Sequence, residues 1–141
     1  MSTIYLVSCV ASKSTSPAAA KDLYQSDWFI KARRFVEYKD SNWYILSAEH
    51  GLLVPDRIIA PYEKTLKTMP IAQRRQWADR VMRDLTPLLA AGDRVVILAG
   101  AAYRDLLSPA INALGAVVEV PMERLRIGEQ LRWLGRQVEG K

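Results

Sequence analysis

Arg94-Val-Val-Ile-Leu-Ala-Gly100 is a short apolar run that ends on a glycine and passes directly, through Ala101 and Ala102, into a helical stretch at Tyr103. A continuous apolar run of this length, bounded by turn residues, reads as a strand buried on both faces, as in a parallel sheet. Three further runs share the pattern: Ile4-Tyr-Leu-Val-Ser8, Trp43-Tyr-Ile-Leu-Ser47 and Ala116-Val-Val-Glu-Val120, the last broken by Pro121. Helical signals fill the intervals. Ser14-Thr-Ser-Pro17 reads as a helix start, with Ser16 as cap and Pro17 at the first helical position. Leu23, Phe29, Ile30, Phe35 and Tyr38 then form an apolar face, with Ser26-Asp27 as a second start. Thr68 and Pro70 open a helix to about Leu89, with Trp77, Val81, Leu85 and Leu88 inward and Pro87 kinking or ending it. A shorter helix, Ala102 to Leu114, ends at Gly115. An amphipathic helix from Ile127 to Val138 closes the sequence.

Strands alternating with helices imply a parallel sheet with right-handed crossovers. The expected fold class is therefore α/β, with a four-stranded, mainly parallel sheet in the order 2-1-3-4. That order places the topological switch between strands 1 and 3, where ligands bind outside the carboxyl ends of the strands. The strand ends there are Ser8-Cys9 and Ala99-Gly100-Ala101. Residues 48 to 68 form a long connection, and loops of that length are usually functional or disordered. Leu52, Leu53, Ile58 and Ile59 give this one apolar anchors, so it reads as ordered.

The sequence has 141 residues, enough for one domain spanning 1–141 with a core that needs no disulfide or metal. No apolar run approaches the ~20 residues of a membrane span, and the first residues lack the features of a signal peptide. A single cysteine makes no internal disulfide, so a cytoplasmic location is expected. One cysteine and one histidine do not make a dedicated zinc site, and no metal is expected. There is no P-loop and no GxGxxG, and no cofactor is expected. The net charge of +5 permits contact with phosphates. Arginines come in groups (Arg33-Arg34, Arg74-Arg75, Arg80 and Arg83, then Arg124 to Arg136), which read either as solvated helix faces or as phosphate contacts.

Residues able to do chemistry collect at the strand ends. Ser8 and Cys9 close the first strand, and Lys13 follows as an ammonium able to neutralise a phosphate or a developing anion. Cys9 would act as a nucleophile only with a base at hand; otherwise it is a small buried filler. Ser47 closes the second strand and leads into Glu49-His50-Gly51, the densest acid/base cluster. His50 titrates near neutrality and can donate or accept a proton. Adjacent residues on an extended backbone point in opposite directions, so Asp56 reads as a better carboxylate partner for His50 than Glu49. Gly100 lets backbone amides approach an anionic group. Tyr24, Phe29, Tyr62 and Tyr103 read either as core or as a stacking surface for a base, and Tyr62 is favoured for the second because it follows Pro61 in the long loop.

Taken together, Leu6-Val-Ser-Cys-Val-Ala-Ser-Lys13, Leu23-Tyr-Gln-Ser26, Trp43-Tyr-Ile-Leu-Ser-Ala-Glu-His-Gly-Leu-Leu53 and Pro61-Tyr-Glu-Lys-Thr-Leu66 resemble a small bacterial and phage domain family of unknown function. That family is similar to the uracil-DNA-glycosylase-like domain of archaeosine synthases and to glycosylase-like proteins acting on modified bases. The resemblance covers about residues 4 to 66, and Val95 to Leu107 adds weaker support. It implies a three-layer α/β sandwich with a base- or nucleotide-sized pocket lined by Ser8, Cys9, Lys13, Ser47, His50 and Gly100. Uracil-excising enzymes carry an acidic residue just after the first strand and a histidine after the last. Here no carboxylate precedes Asp22, and Pro121-Met-Glu-Arg124 holds no histidine, so ordinary uracil excision is not expected.

The leading expectation is an N-glycosidase-type hydrolase acting on a modified or unusual nucleobase in DNA, RNA or a nucleotide. Its catalytic candidates are His50, Asp56, Glu49 and Lys13. Its binding candidates are Ser8, Cys9, Ser47, Gly51, Tyr62, Gly100 and Tyr103. The alternatives are a non-catalytic nucleotide- or nucleic-acid-binding module with the same pocket, and a small hydrolase or transferase that depends on Cys9.

Overall fold

Ile4, Leu6, Ile45 and Ile97 are buried on strands that have neighbours on both sides, and the order of those strands decides which strand ends lie side by side. A computed structural model of the chain describes residues 2–8, 15–39, 42–62 and 64–138. In chain order the strands are β1 (Thr3–Ser8), β2 (Ala18–Ala19), β3 (Trp43–Ser47), β4 (Gly51–Leu53), β5 (Ile58–Ile59), β6 (Arg94–Leu98) and β7 (Val117–Glu119). The helices are α1 (Ala20–Leu23), α2 (Asp27–Lys39), α3 (Ile71–Leu85), α4 (Ala101–Arg104), α5 (Leu107–Ala113) and α6 (Ile127–Val138). The main sheet has five strands in the order β4-β3-β1-β6-β7. β3, β1, β6 and β7 are parallel neighbours, in the order expected for the four apolar runs.

β1 alternates between the two faces of the sheet. Ile4 and Leu6 join Trp77, Val81 and Leu85 of α3 and Leu107 and Ile111 of α5. Val7 joins Leu23, Phe29, Phe35 and Val36 on the opposite face, where Leu134 of α6 also packs. Burying each of these large apolar side chains contributes about 1.5–3 kcal/mol. The result is a mixed α/β structure with helices on both faces of the sheet. No helix among the described residues is long and apolar enough to cross a membrane.

Several elements depart from expectation. The fifth strand, β4, runs antiparallel to β3 inside the connection read as a loop, pairing Ser47 with Gly51 and Ile45 with Leu53. β5 pairs with β2 in a small second sheet, so Ala18–Ala19 is strand where Ser16 and Pro17 suggested a helix. The helix start that does use a serine is α2, where Ser26 Oγ accepts from the Phe29 amide at 3.2 Å. Ile30, Tyr38 and Leu88 are exposed rather than inward. Pro87 sits in a short 3-10 turn, Thr86–Leu88, that rotates Leu88 off the α3 face. The expected helix from Ala102 to Leu114 is two helices, parted at Asp105-Leu106, and Gly115 closes the second at φ +89°.

Asp93 ties the start of β6 to its surroundings. Its carboxylate accepts from the Ser2 amide at 2.8 Å and the Ala90 amide at 2.9 Å, and its carbonyl accepts from Val117 at 2.7 Å. The Ser2 and then the Ala90 hydrogen bond hold its pKa below the ordinary value of 3.8. A depressed carboxylate stabilises the fold above its unfolded pKa and loses that contribution as the pH falls through the folded value. Asp93→Asn is therefore expected to destabilise the protein at pH 7 and to flatten its loss of stability below about pH 4. Urea titrations at several pH values would show equal slopes for both proteins if Asp93 had no such role.

Candidate functional site

The site is built where β3 ends. Ser47 is the last residue of β3 and is fully buried. Its carbonyl accepts from Trp77 Nε1 of α3 at 2.8 Å, which fixes the strand end against the helix. Ala48, Glu49 and His50 then turn the chain, and Gly51 starts β4 at φ +73°. That backbone region suits glycine, and the missing side chain also lets Arg80 lie against the turn. A Cβ placed on Gly51 would stand 3.3 Å from Arg80 Nε, and Arg80 Nη1 donates to the Glu49 carbonyl at 2.9 Å.

Hydroxyl groups link the side chains of this corner. Ser47 Oγ accepts from the His50 amide at 3.0 Å and is hydrogen-bonded to the Tyr62 hydroxyl at 2.8 Å. The Tyr62 hydroxyl also meets that of Tyr24 at 2.5 Å. The His50 ring stands edge-on to Tyr62, with centroids 5.5 Å apart. Tyr24 follows α1, and α1 is held to the long connection by Ala20 N to the Arg57 carbonyl and Lys21 N to the Pro55 carbonyl. Ser8, at the end of β1, is buried and pairs in register with Leu46, one residue before Ser47.

His50 is half-buried, and burial is the main cause of a pKa below its ordinary value of 6.5. The charges of Arg57 and Arg80 push the same way, and Glu49 opposes them. At pH 7 the imidazole is therefore neutral, fit to accept a proton or to donate one N–H as a hydrogen bond. Glu49 shares the turn with His50 rather than an extended backbone, and it faces Lys64 at 3.4 Å.

The expected residues are only partly gathered. Ser47, His50, Gly51 and Tyr62 converge, with Glu49 beside them. Asp56 is carried away: β4 runs back along β3, and Asp56 lines a crevice of about 360 Å³ with Asn42 and Trp43 at the start of that strand. There it pairs with Lys21 at 2.6 Å, on a side chain 77% exposed. Tyr103 is buried and stacked edge-on against Trp77, a core position rather than a free face for a base. Gly100 precedes the four-residue α4 and lines a separate crevice of about 60 Å³ with Trp28, Arg104, Glu123 and Gln130. That volume holds only a few waters. Cys9 and Lys13 lie outside the described residues. Sequence reading placed Trp77 in the core, where it is, and took Arg80 with Arg83 as either a solvated face or a phosphate contact, without its bond to the turn. The signal for Arg80 was Gly51, since a glycine after a turn leaves room for a neighbour.

No group of three or more His, Cys, Asp or Glu side chains able to hold a metal occurs among the described residues. Residues 4–136 match the model of a family of unknown function, DUF6884. The chain is 30% identical over 133 residues to the uncharacterized protein YfjM of Bacillus subtilis (strain 168), a match covering 89% of this chain and 83% of that protein. No solved structure matches the chain.

Proposed function

The chain belongs to the DUF6884 family of unknown function, and we propose that it is an N-glycosidase-type hydrolase acting on a modified or unusual nucleobase in DNA, RNA or a nucleotide. The observation that carries this reading is the run of hydroxyls from Tyr24 through Tyr62 and Ser47 to the His50 amide, at the carboxyl end of β3 beside that of β1. Open parallel sheets bind ligands at that edge. The proposal includes the finer fold assignment, a three-layer uracil-DNA-glycosylase-like sandwich, which the order of the parallel strands and the helices on both faces support.

Hydrolysis of an N-glycosidic bond breaks the bond between the sugar C1′ and the base nitrogen, and the electron pair leaves with the base. Water adds its oxygen to C1′, and the proton it loses ends on the departing base. A neutral His50 can take that proton or steady the leaving base through its N–H. The Tyr62 hydroxyl, held between Tyr24 and Ser47, is a polar anchor for the base edge. Glu49 is the carboxylate beside His50 that would face the positive charge on the sugar.

A non-catalytic binding module is the second reading, and the position of Asp56 favours it, because the carboxylate expected to serve His50 is paired with Lys21 instead. One experiment separates the two. The purified protein is titrated with nucleobases, nucleosides, nucleotides and modified-base oligonucleotides, and both binding and free base are followed. Free base in the stoichiometry of the sugar product is the expected result. Saturable binding with no release would establish the binding module, and no binding across the panel would end both readings.

A further inference from the structure

The hydroxyl cluster has a cationic side that its chemistry does not use. Arg80 is exposed, yet its guanidinium is fixed by the Glu49 carbonyl and lies against Gly51, one residue from His50. A guanidinium has five N–H donors, and this bond to Glu49 occupies one of them. Six residues earlier on α3 stands Arg74, whose Nε is buried without a hydrogen-bond partner. A buried orphan donor is costly, and a ligand oxygen relieves it. Arg57 is also exposed, on the connection before β5.

We infer that Arg80, held against Gly51 with most of its donors unused, receives a phosphate beside the Ser47–His50 cluster. The ligand is therefore a phosphorylated nucleobase derivative rather than a free base or nucleoside. This rests on the nucleobase reading above and narrows its substrate class. Pre-positioned arginine suits the inference, because its planar fork meets two phosphate oxygens at once and Arg80 is already held in place. The shared chemistry is a phosphate ester, which a free nucleotide or a nucleic-acid strand supplies.

Calorimetric titration with ribonucleosides, their 5′-monophosphates, ribose 5-phosphate and a mixed-sequence single-stranded oligonucleotide tests this. The monophosphate or the oligonucleotide is expected to bind about 10- to 100-fold more tightly than the matching nucleoside. Arg80→Met should abolish that advantage, whereas Arg83→Met, which removes the same charge further along α3, should preserve it. Preference for the oligonucleotide over the monophosphate would identify a polymer as the source of the phosphate, and the reverse would identify a nucleotide. Equal binding of nucleoside and monophosphate would overturn the inference and leave the nucleobase reading standing. Equal loss in Arg80→Met and Arg83→Met would overturn it too, since the effect would then be one of net charge. Ribose 5-phosphate binding as tightly as any nucleotide, and lost in Arg80→Met, would uphold the phosphate site and overturn the nucleobase reading.

Discussion

Trp77→Ala is expected to lower stability by about 3–5 kcal/mol, in the upper range for removal of a large buried side chain. Two losses combine at this position. The indole fills the space between β3 and α3 and packs edge-on against Tyr103, 5.7 Å between centroids. Its Nε1–H also satisfies the buried Ser47 carbonyl. Trp77→Phe keeps most of the apolar volume and forfeits only the hydrogen bond, so it should cost about 1–3 kcal/mol. Urea denaturation of the three proteins measures both terms, with the alanine variant melting on the order of 10 °C or more below the parent. If phenylalanine proved as damaging as alanine, the indole hydrogen bond would dominate. If phenylalanine were neutral, Ser47 would not depend on Trp77 at all.

His50→Ala is expected to reduce free-base release by about 100- to 10,000-fold, the usual contribution of a positioned acid or base. The substitution is clean because the contact that shapes the turn uses the His50 backbone: its amide donates to Ser47 Oγ, and alanine retains that amide. The pH profile adds a second check. A histidine that works in its neutral form, with a pKa held below 6.5 by burial and by Arg57 and Arg80, gives a rate that falls as acid is added, with a midpoint below 6.5. The same sign applies to folding. The unfolded chain takes up the proton at higher pH than the folded one, so His50 lowers stability as the pH drops through 6.5 toward the folded value. An acid limb that persists unchanged in His50→Ala would assign the titration to another group.

How far the sequence could be read depended on element length. Ile4 to Ser8, Trp43 to Ser47 and Arg94 to Leu98 are each five residues of nearly unbroken apolar character, and their order in the sheet followed from parallel pairing. Gly51–Leu53 and Ile58–Ile59 are three and two residues long, too short to show a period. Ala18 and Ala19 have high helix propensity, and only pairing with β5 makes them strand. At the candidate site, Ser47, His50 and Tyr62 were legible because they end a strand, lie in the turn after it, or follow a proline. Asp56 was misplaced for a geometric reason. Once β4 folds back on β3, distance along the loop no longer measures distance from His50, and Asp56 arrives at the other end of the strand beside Lys21.

The central pairing of the sheet sets a timetable for folding. β1 is flanked by β3 and β6, and its partners in β6 are Arg94 to Leu98. During synthesis β1 leaves the ribosome well before β6, the neighbour that closes one whole edge of it and lies far along the sequence. Until then Ile4 and Leu6 have at most half their final shelter, and the open edge of β1 offers amides and carbonyls to any strand nearby. Non-local parallel pairing of this kind folds slowly and leaves intermediates prone to association. Truncations ending before Arg94 should therefore aggregate more than truncations ending after β7, because β6 covers the open edge of β1 and β7 that of β6.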